Sequence, residues 1–175
     1  MKSVRALMMI AVVALQGACK DDDPLKNNTA AGPPPPAQGI QTFVQVDNNN
    51  AQPGDHVQVY VLAQVGTESQ AKIGSYTGRL HFDPTALAWV KDVEINDGLR
   101  VTNPGGAATG EIRFAGAAAS GFNDLSLYHG EFMVKKTGYV GVLKTQIEEL
   151  SAAHTLGNLQ PQLRMVPQVF LRTAP

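Results

Sequence analysis

Asp92, Glu94 and Asn96 come nearest to a chemical site in this sequence: three oxygen-bearing side chains at alternate positions, as at the opening of a calcium loop. An EF-hand loop requires glycine at its sixth position and a bidentate glutamate at its twelfth. Counted from Asp92, Gly98 stands seventh and Asn103 twelfth, so the pattern fails at both places. The alternation instead fits the solvated outer face of a strand. His56, His81, His129 and His154 show neither the HxH nor the HExxH spacing that brings imidazoles onto one zinc ion. Ser120, in Ala119-Ser120-Gly121, lacks the Gly-x-Ser-x-Gly elbow of a hydrolase nucleophile. Glu148 and Glu149 are adjacent, so on a strand they face opposite sides and do not form the paired carboxylates of a glycosidase. The Gly/Ala-rich stretches 103–110 and 115–121 carry no Walker pattern and read as loops. No metal or cofactor is expected, and the chain reads as a binding domain, not an enzyme.

Charge and composition narrow the partners. Fourteen basic and 15 acidic side chains leave a net charge of −1. No basic stripe is present to meet a phosphate backbone, so nucleic acid is not an expected partner. The single cysteine, Cys19, rules out an internal disulfide, and stability must come from packing. Hydrophobic residues make up 43% of the chain, enough for a sandwich interior.

The N-terminus has the three parts of a secretory signal over residues 1–18: basic Lys2 and Arg5, an apolar run from Ala6 to Leu15, and the small residues Gly17 and Ala18. The run is about ten residues long, and a membrane-spanning helix needs roughly twenty. Leu15-Gln16-Gly17-Ala18-Cys19 resembles the lipobox of bacterial lipoproteins, with Gln16 standing where that family usually has an aliphatic residue. The resemblance implies cleavage before Cys19, lipidation of its thiol and a membrane anchor. Residues 19–41 then form a polar spacer containing Lys20-Asp21-Asp22-Asp23 and the run Pro33 to Pro36. Such prolines extend as polyproline II at about 3.1 Å per residue. The acidic run resembles the surface-export signals of some Gram-negative lipoproteins. The expected location is across the inner membrane, lipid-anchored in the cell envelope and exposed at the surface.

From residue 42 to 175 the hydrophobic period is two, broken at regular intervals by turn residues. His56 to Val65 turns Val57, Val59, Val61 and Val65 one way and His56, Gln58, Tyr60 and Gln64 the other. Ile73 to Phe82 sets Tyr76, Leu80 and Phe82 against Ser75, Thr77, Arg79 and His81. Leu87 to Ile95 turns Leu87, Trp89, Val93 and Ile95 inward and Ala88, Asp92 and Glu94 outward. Glu111 to Ala115, Leu127 to Lys135, Tyr139 to Leu150 and Met165 to Arg172 are further strands, with shorter ones at Thr42 to Val46 and Leu99 to Thr102. Lys144 to Ala153 is the one stretch that fits a turn or two of helix. Pro167 puts the last strand at an edge or a bulge. About nine antiparallel strands in about 135 residues imply two packed sheets, an all-β jelly-roll or Greek-key sandwich.

Several segments resemble cohesin domains. Ala51-Gln52-Pro53-Gly54-Asp55-His56-Val57-Gln58-Val59 resembles the Pro-Gly-Asp turn that leads into alternating valines in that family. Leu80-His81-Phe82-Asp83-Pro84-Thr85-Ala86-Leu87 resembles its strand followed by Asp-Pro and leucine. Gly110-Glu111-Ile112-Arg113-Phe114 and Gly130-Glu131-Phe132-Met133-Val134 fall in the order of its later strands. The resemblance runs from Thr42 to Arg172. It implies a nine-stranded sandwich that receives a small calcium-loaded helical protein, the dockerin, on one sheet face. It also implies that Thr77, Arg79, His81 and Arg113 point out of that face. Certain carbohydrate-binding modules share the fold, so a glycan-binding alternative stays open. Aromatic residues are only 6% of the chain, and Tyr60 is the outward ring such a module would use. A structural envelope lipoprotein is the third alternative.

Overall fold

A computed structural model describes residues 33–48, 50–136, 140–165 and 169–172. The signal segment, Cys19 and most of the spacer lie outside the described residues. Ten strands follow in order: β1 (Ile40–Val46), β2 (His56–Val65), β3 (Ile73–His81), β4 (Leu87–Asp92), β5 (Leu99–Asn103), β6 (Glu111–Ala117), β7 (Ser126–Val134), β8 (Val140–Ala152), β9 (Leu163–Met165) and β10 (Val169–Arg172). They form two five-stranded sheets, ordered β4-β7-β2-β1-β9 and β10-β8-β3-β6-β5. The expected all-β jelly-roll sandwich is the architecture found. The pairings are antiparallel except that of β9 with β1, which is parallel.

Period two explains the packing. Val57, Val59 and Val61 on β2 are fully buried, and Tyr76 and Leu80 on β3 and Ile112 and Phe114 on β6 meet them from the other sheet. Each such side chain contributes roughly 1.5–3 kcal/mol by leaving water. The turns use the chemistry their residues offer. Gly54 takes a positive φ of 93° in the Pro-Gly-Asp turn, and its N–H donates to the Val134 carbonyl. Asp83 Oδ1 accepts from the Thr85 N–H at 2.7 Å, closing the Asp-Pro turn ahead of β4.

Three expectations are overturned, two of them by bulges. The helical turn expected over Lys144–Ala153 is strand β8. Its buried residues Leu143, Ile147 and Leu150 have helix-like spacing, but the register slips by one where Gly78 faces Ile147 and Thr77 faces Glu149. Glu148 is the extra residue. A bulge changes which face the following residues occupy, so Glu148 and Glu149 are both exposed instead of facing opposite sides. The second slip, between Trp89 and Lys91 on β4, places Asp92 opposite Gly130. Gly130 lies between the buried Tyr128 and Phe132 on the inner face of β7, so Asp92 sits on the inner-face side at the open flank of the sandwich, where it stays exposed. β4 also ends at Asp92 rather than Ile95. Third, the single strand expected over Met165–Arg172 is two strands in different sheets, with Pro167 between them outside the described residues.

β1 starts at Ile40, and the chain just before it packs on the domain: Gln41 Nε2 donates to the Pro34 carbonyl at 2.7 Å, and the Thr67 N–H to the Pro36 carbonyl at 3.3 Å. Among the described residues no helix is long and apolar enough to cross a membrane.

Candidate binding face

The outer face of the β8-β3-β6-β5 sheet is built in rows. Register sets Ser75 beside Ala117 and Leu99, Thr77 beside Ala115 and Val101, Arg79 beside Arg113 and Asn103, and His81 beside Glu111. The face therefore divides. One half is apolar and small, and the other is charged.

In the apolar half, Leu99 is 69% and Val101 58% exposed, unusual for large hydrophobic side chains. They stand above Ala115 and Ala117, whose methyl groups, with the Gly116 backbone between them, leave a trough between β5 and β3. Two shallow grooves result, of about 250 Å3 and 330 Å3, meeting along Thr77, Val101 and Ala115.

Arg100 fixes which side of β5 faces out. Its side chain turns into the sandwich at 12% exposure, with the guanidinium 4.5 Å from the centre of the Phe122 ring. Nη1 donates to Tyr76 Oη at 2.7 Å and to the Ser126 carbonyl; Nη2 donates to the Asp124 carbonyl at 3.0 Å, and Nε to the Asp97 carbonyl at 2.9 Å. With Arg100 inside, alternation forces Leu99 and Val101 out. Burial pushes the Tyr76 hydroxyl up to about 12, against the opposing pull of Arg100, so it stays protonated. Asp97 accepts from the backbone N–H groups of Asn123 and Asp124 at 2.7 and 2.6 Å, which ties the loop before β5 to the loop before β7.

The charged half is satisfied from within. Arg79 reaches Glu148 at 2.7 Å and Glu111 at 3.3 Å, and Arg113 reaches Glu111 at 2.9 Å. His81 Nδ1 lies 3.9 Å from the same Glu111 carboxylate. The bond from Arg113, then that from Arg79, holds the Glu111 carboxyl below the usual carboxylate range. The Glu148 bond raises Arg79 further. The geometry thus gathers Thr77, Arg79, His81 and Arg113 on one face, but the two arginines are occupied by glutamates. Leu99 and Val101 escaped sequence reasoning. Their signal was a Leu-Arg-Val-Thr strand whose most polar residue takes the inward position.

Tyr60 lies on the outer face of the opposite sheet. Its ring stacks on His129 with centroids 4.1 Å apart, which covers one ring face and leaves it half-buried. His129 bonds Gln58 Oε1 at 3.0 Å, and burial lowers its affinity for a proton. His56 pairs with Glu131, which also meets Lys91 at 3.2 Å. Among the described residues no group of three or more histidine, cysteine, aspartate or glutamate side chains is placed to hold a metal ion.

Solved structures with the same sandwich are cohesins. A cohesin module of a family 33 glycoside hydrolase from Clostridium perfringens superposes with a TM-score of 0.60 at 13% identity, over 78% of this chain and 98% of that one. The sixth cohesin of scaffoldin B from Acetivibrio cellulolyticus, solved in complex with a dockerin, gives 0.57 at 16% identity, over 78% and 99%. A non-cellulosomal cohesin from the archaeon Archaeoglobus fulgidus gives 0.56 at 18% identity, over 85% and 92%. This chain has the cohesin fold. No protein-family model and no curated protein matches its sequence. The cohesin-like sandwich accounts for residues from β1 to β10, and the divided face occupies one of its two sheets.

Proposed function

We propose that this chain is a cohesin-like protein-binding module that receives a dockerin-type partner on the β8-β3-β6-β5 face and catalyses nothing. The observation that carries this reading is the pair Leu99 and Val101, held exposed by the inward anchor Arg100 above a floor of alanine and glycine. A monomer gains nothing by exposing two large hydrophobic side chains side by side, and such patches mark interfaces. The charged half supports the same reading in a different way. Arg79 and Arg113 are neutralised by Glu148 and Glu111, so apolar burial supplies the affinity and the charge rows set orientation. Capture from a native envelope extract, in calcium or in chelator, tests it: Leu99→Asp with Val101→Asp abolishes retention of the partner, and Arg79→Ala weakens it less.

In this reading the module is tethered outside the cytoplasm. Residues 1–18 are a signal peptide, Cys19 carries the lipid, and the residues after it run from the membrane to the sandwich, whose first strand begins at Ile40. Support comes from the lipobox-like sequence and from the chain's only cysteine standing where the anchor belongs. Metabolic labelling with a palmitate analogue checks this. Label is incorporated into the wild-type chain and is absent from Cys19→Ser.

A further inference from the structure

A second concavity lies on the flank of the sandwich, between the tail of β4 and the inner side of β5, where the two sheets end without meeting. Its volume is about 280 Å3, at the low end of the roughly 300–1,000 Å3 that small-ligand pockets occupy. The buried Phe114, Leu127 and Tyr128 form its floor. Asp92 and Glu94 line it from one side and Arg100 and Thr102 from the other.

Two polar atoms behind it have unmet bonding capacity. Tyr128 is 2% exposed, and its ring stacks on Phe114 with centroids 5.5 Å apart. The ring lies along β7 over Gly130, where an added Cβ would come within 2.1 Å of the hydroxyl. The Tyr128 hydroxyl lies close to the Trp89 indole and to Asp92. The hydroxyl and the indole N–H are both buried, and neither makes a hydrogen bond of acceptable distance and angle. Native proteins leave few such groups unpaired, and each has a cost that a ligand can recover.

We propose that this flank cleft binds one pyranose unit of a neutral glycan, with Asp92 rotating aside so that a sugar hydroxyl bridges the Tyr128 hydroxyl and the Asp92 carboxylate. Asp92 and Glu94 accept from the sugar's hydroxyls. Among the described residues lining the cleft, the arginine Arg100 already bonds Tyr76, Ser126, Asp124 and Asp97, which leaves little for an anionic ligand. This site is separate from the protein-binding face and does not depend on that reading.

The chain has one tryptophan, so its single indole N–H signal in the 15N-labelled full chain reports on the wall behind the cleft, where the indole adjoins Tyr128. Methyl glycosides of glucose, galactose, mannose and N-acetylglucosamine are titrated in turn. At least one moves the Trp89 signal saturably in the low-millimolar range. Tyr128→Phe, which keeps the ring, weakens that titration by roughly tenfold, and Asp92→Asn provides a second, surface-accessible variant with an effect in the same direction. The proposal is overturned if no glycoside moves the signal, or if tetramethylammonium moves it and the glycosides do not. It is also overturned if the titration survives both variants unchanged, or is lost on Tyr60→Ala instead.

Discussion

Arg100 ties an edge strand to the core and to two loops: it joins β5 to Tyr76 and to the carbonyls of Asp97, Asp124 and Ser126. Removing it leaves a buried hydroxyl and several carbonyls short of a donor. Arg100→Ala therefore lowers the unfolding free energy by about 2–4 kcal/mol in urea titration, and Arg100→Lys recovers only part, since an ammonium cannot span that fork. A second residue-scale prediction concerns acid. Burial depresses the proton affinity of His129 in the folded chain. Hydrogen bonds depress Glu111 and Glu131, from Arg113 and from His56 respectively, and Asp97, from the Asp124 backbone. A depressed folded-state pKa means that the unfolded chain binds more protons, so stability falls as pH falls. The denaturation midpoint should begin to drop as pH passes below about 6.5, the free histidine range, and drop again below about 4, the free carboxylate range. His129→Gln removes the first stage and leaves the second, as chemical denaturation across pH would record.

At the scale of elements, legibility followed parity. In β2, β3 and β6 the alternation runs unbroken through the residues that matter, so Val57, Tyr76, Leu80 and Phe114 could be placed inside from the residues alone. Where a bulge intervenes, the residues beyond it change sides with no local mark in the sequence. Glu148 in β8 gives buried residues a helix-like spacing, and Val90 in β4 turns Asp92 into the flank. β5 defeats the reading for another reason. Leu-Arg-Val-Thr is consistent with either face being inward, and only the distant acceptors of Arg100 decide it. The same argument yields a prediction. Leu99→Asp and Val101→Asp sit on an exposed edge strand and should shift folding stability by no more than about 0.5 kcal/mol in urea titration. Phe132→Ala, in the core and edge-on to Phe82 at 5.1 Å, should cost about 3–5 kcal/mol by the same measurement.

Seen whole, the molecule separates its tasks. The N-terminal segment packs at the end of the sandwich that carries the β2–β3 loop, through Pro34, Pro36 and Ala37. The divided face lies on the outer side of one sheet, with its apolar rows, at Ser75 and Thr77, near the start of β3. Overall architecture was readable because nearly every core position obeys period two and because the turn motifs stand in order. The binding surface was half readable. Strand order brought Thr77, Arg79, His81 and Arg113 together, but their ion pairing and the prominence of Leu99 and Val101 arise from contacts between strands far apart in sequence.

The most direct test is retention of an envelope protein by the immobilised full chain, compared across wild type, the Leu99→Asp/Val101→Asp pair and Tyr60→Ala, each in calcium and in chelator. The account predicts a small partner held by wild type and by Tyr60→Ala in calcium, and released by the paired substitution. Retention that survives that pair, with folding intact, would contradict it.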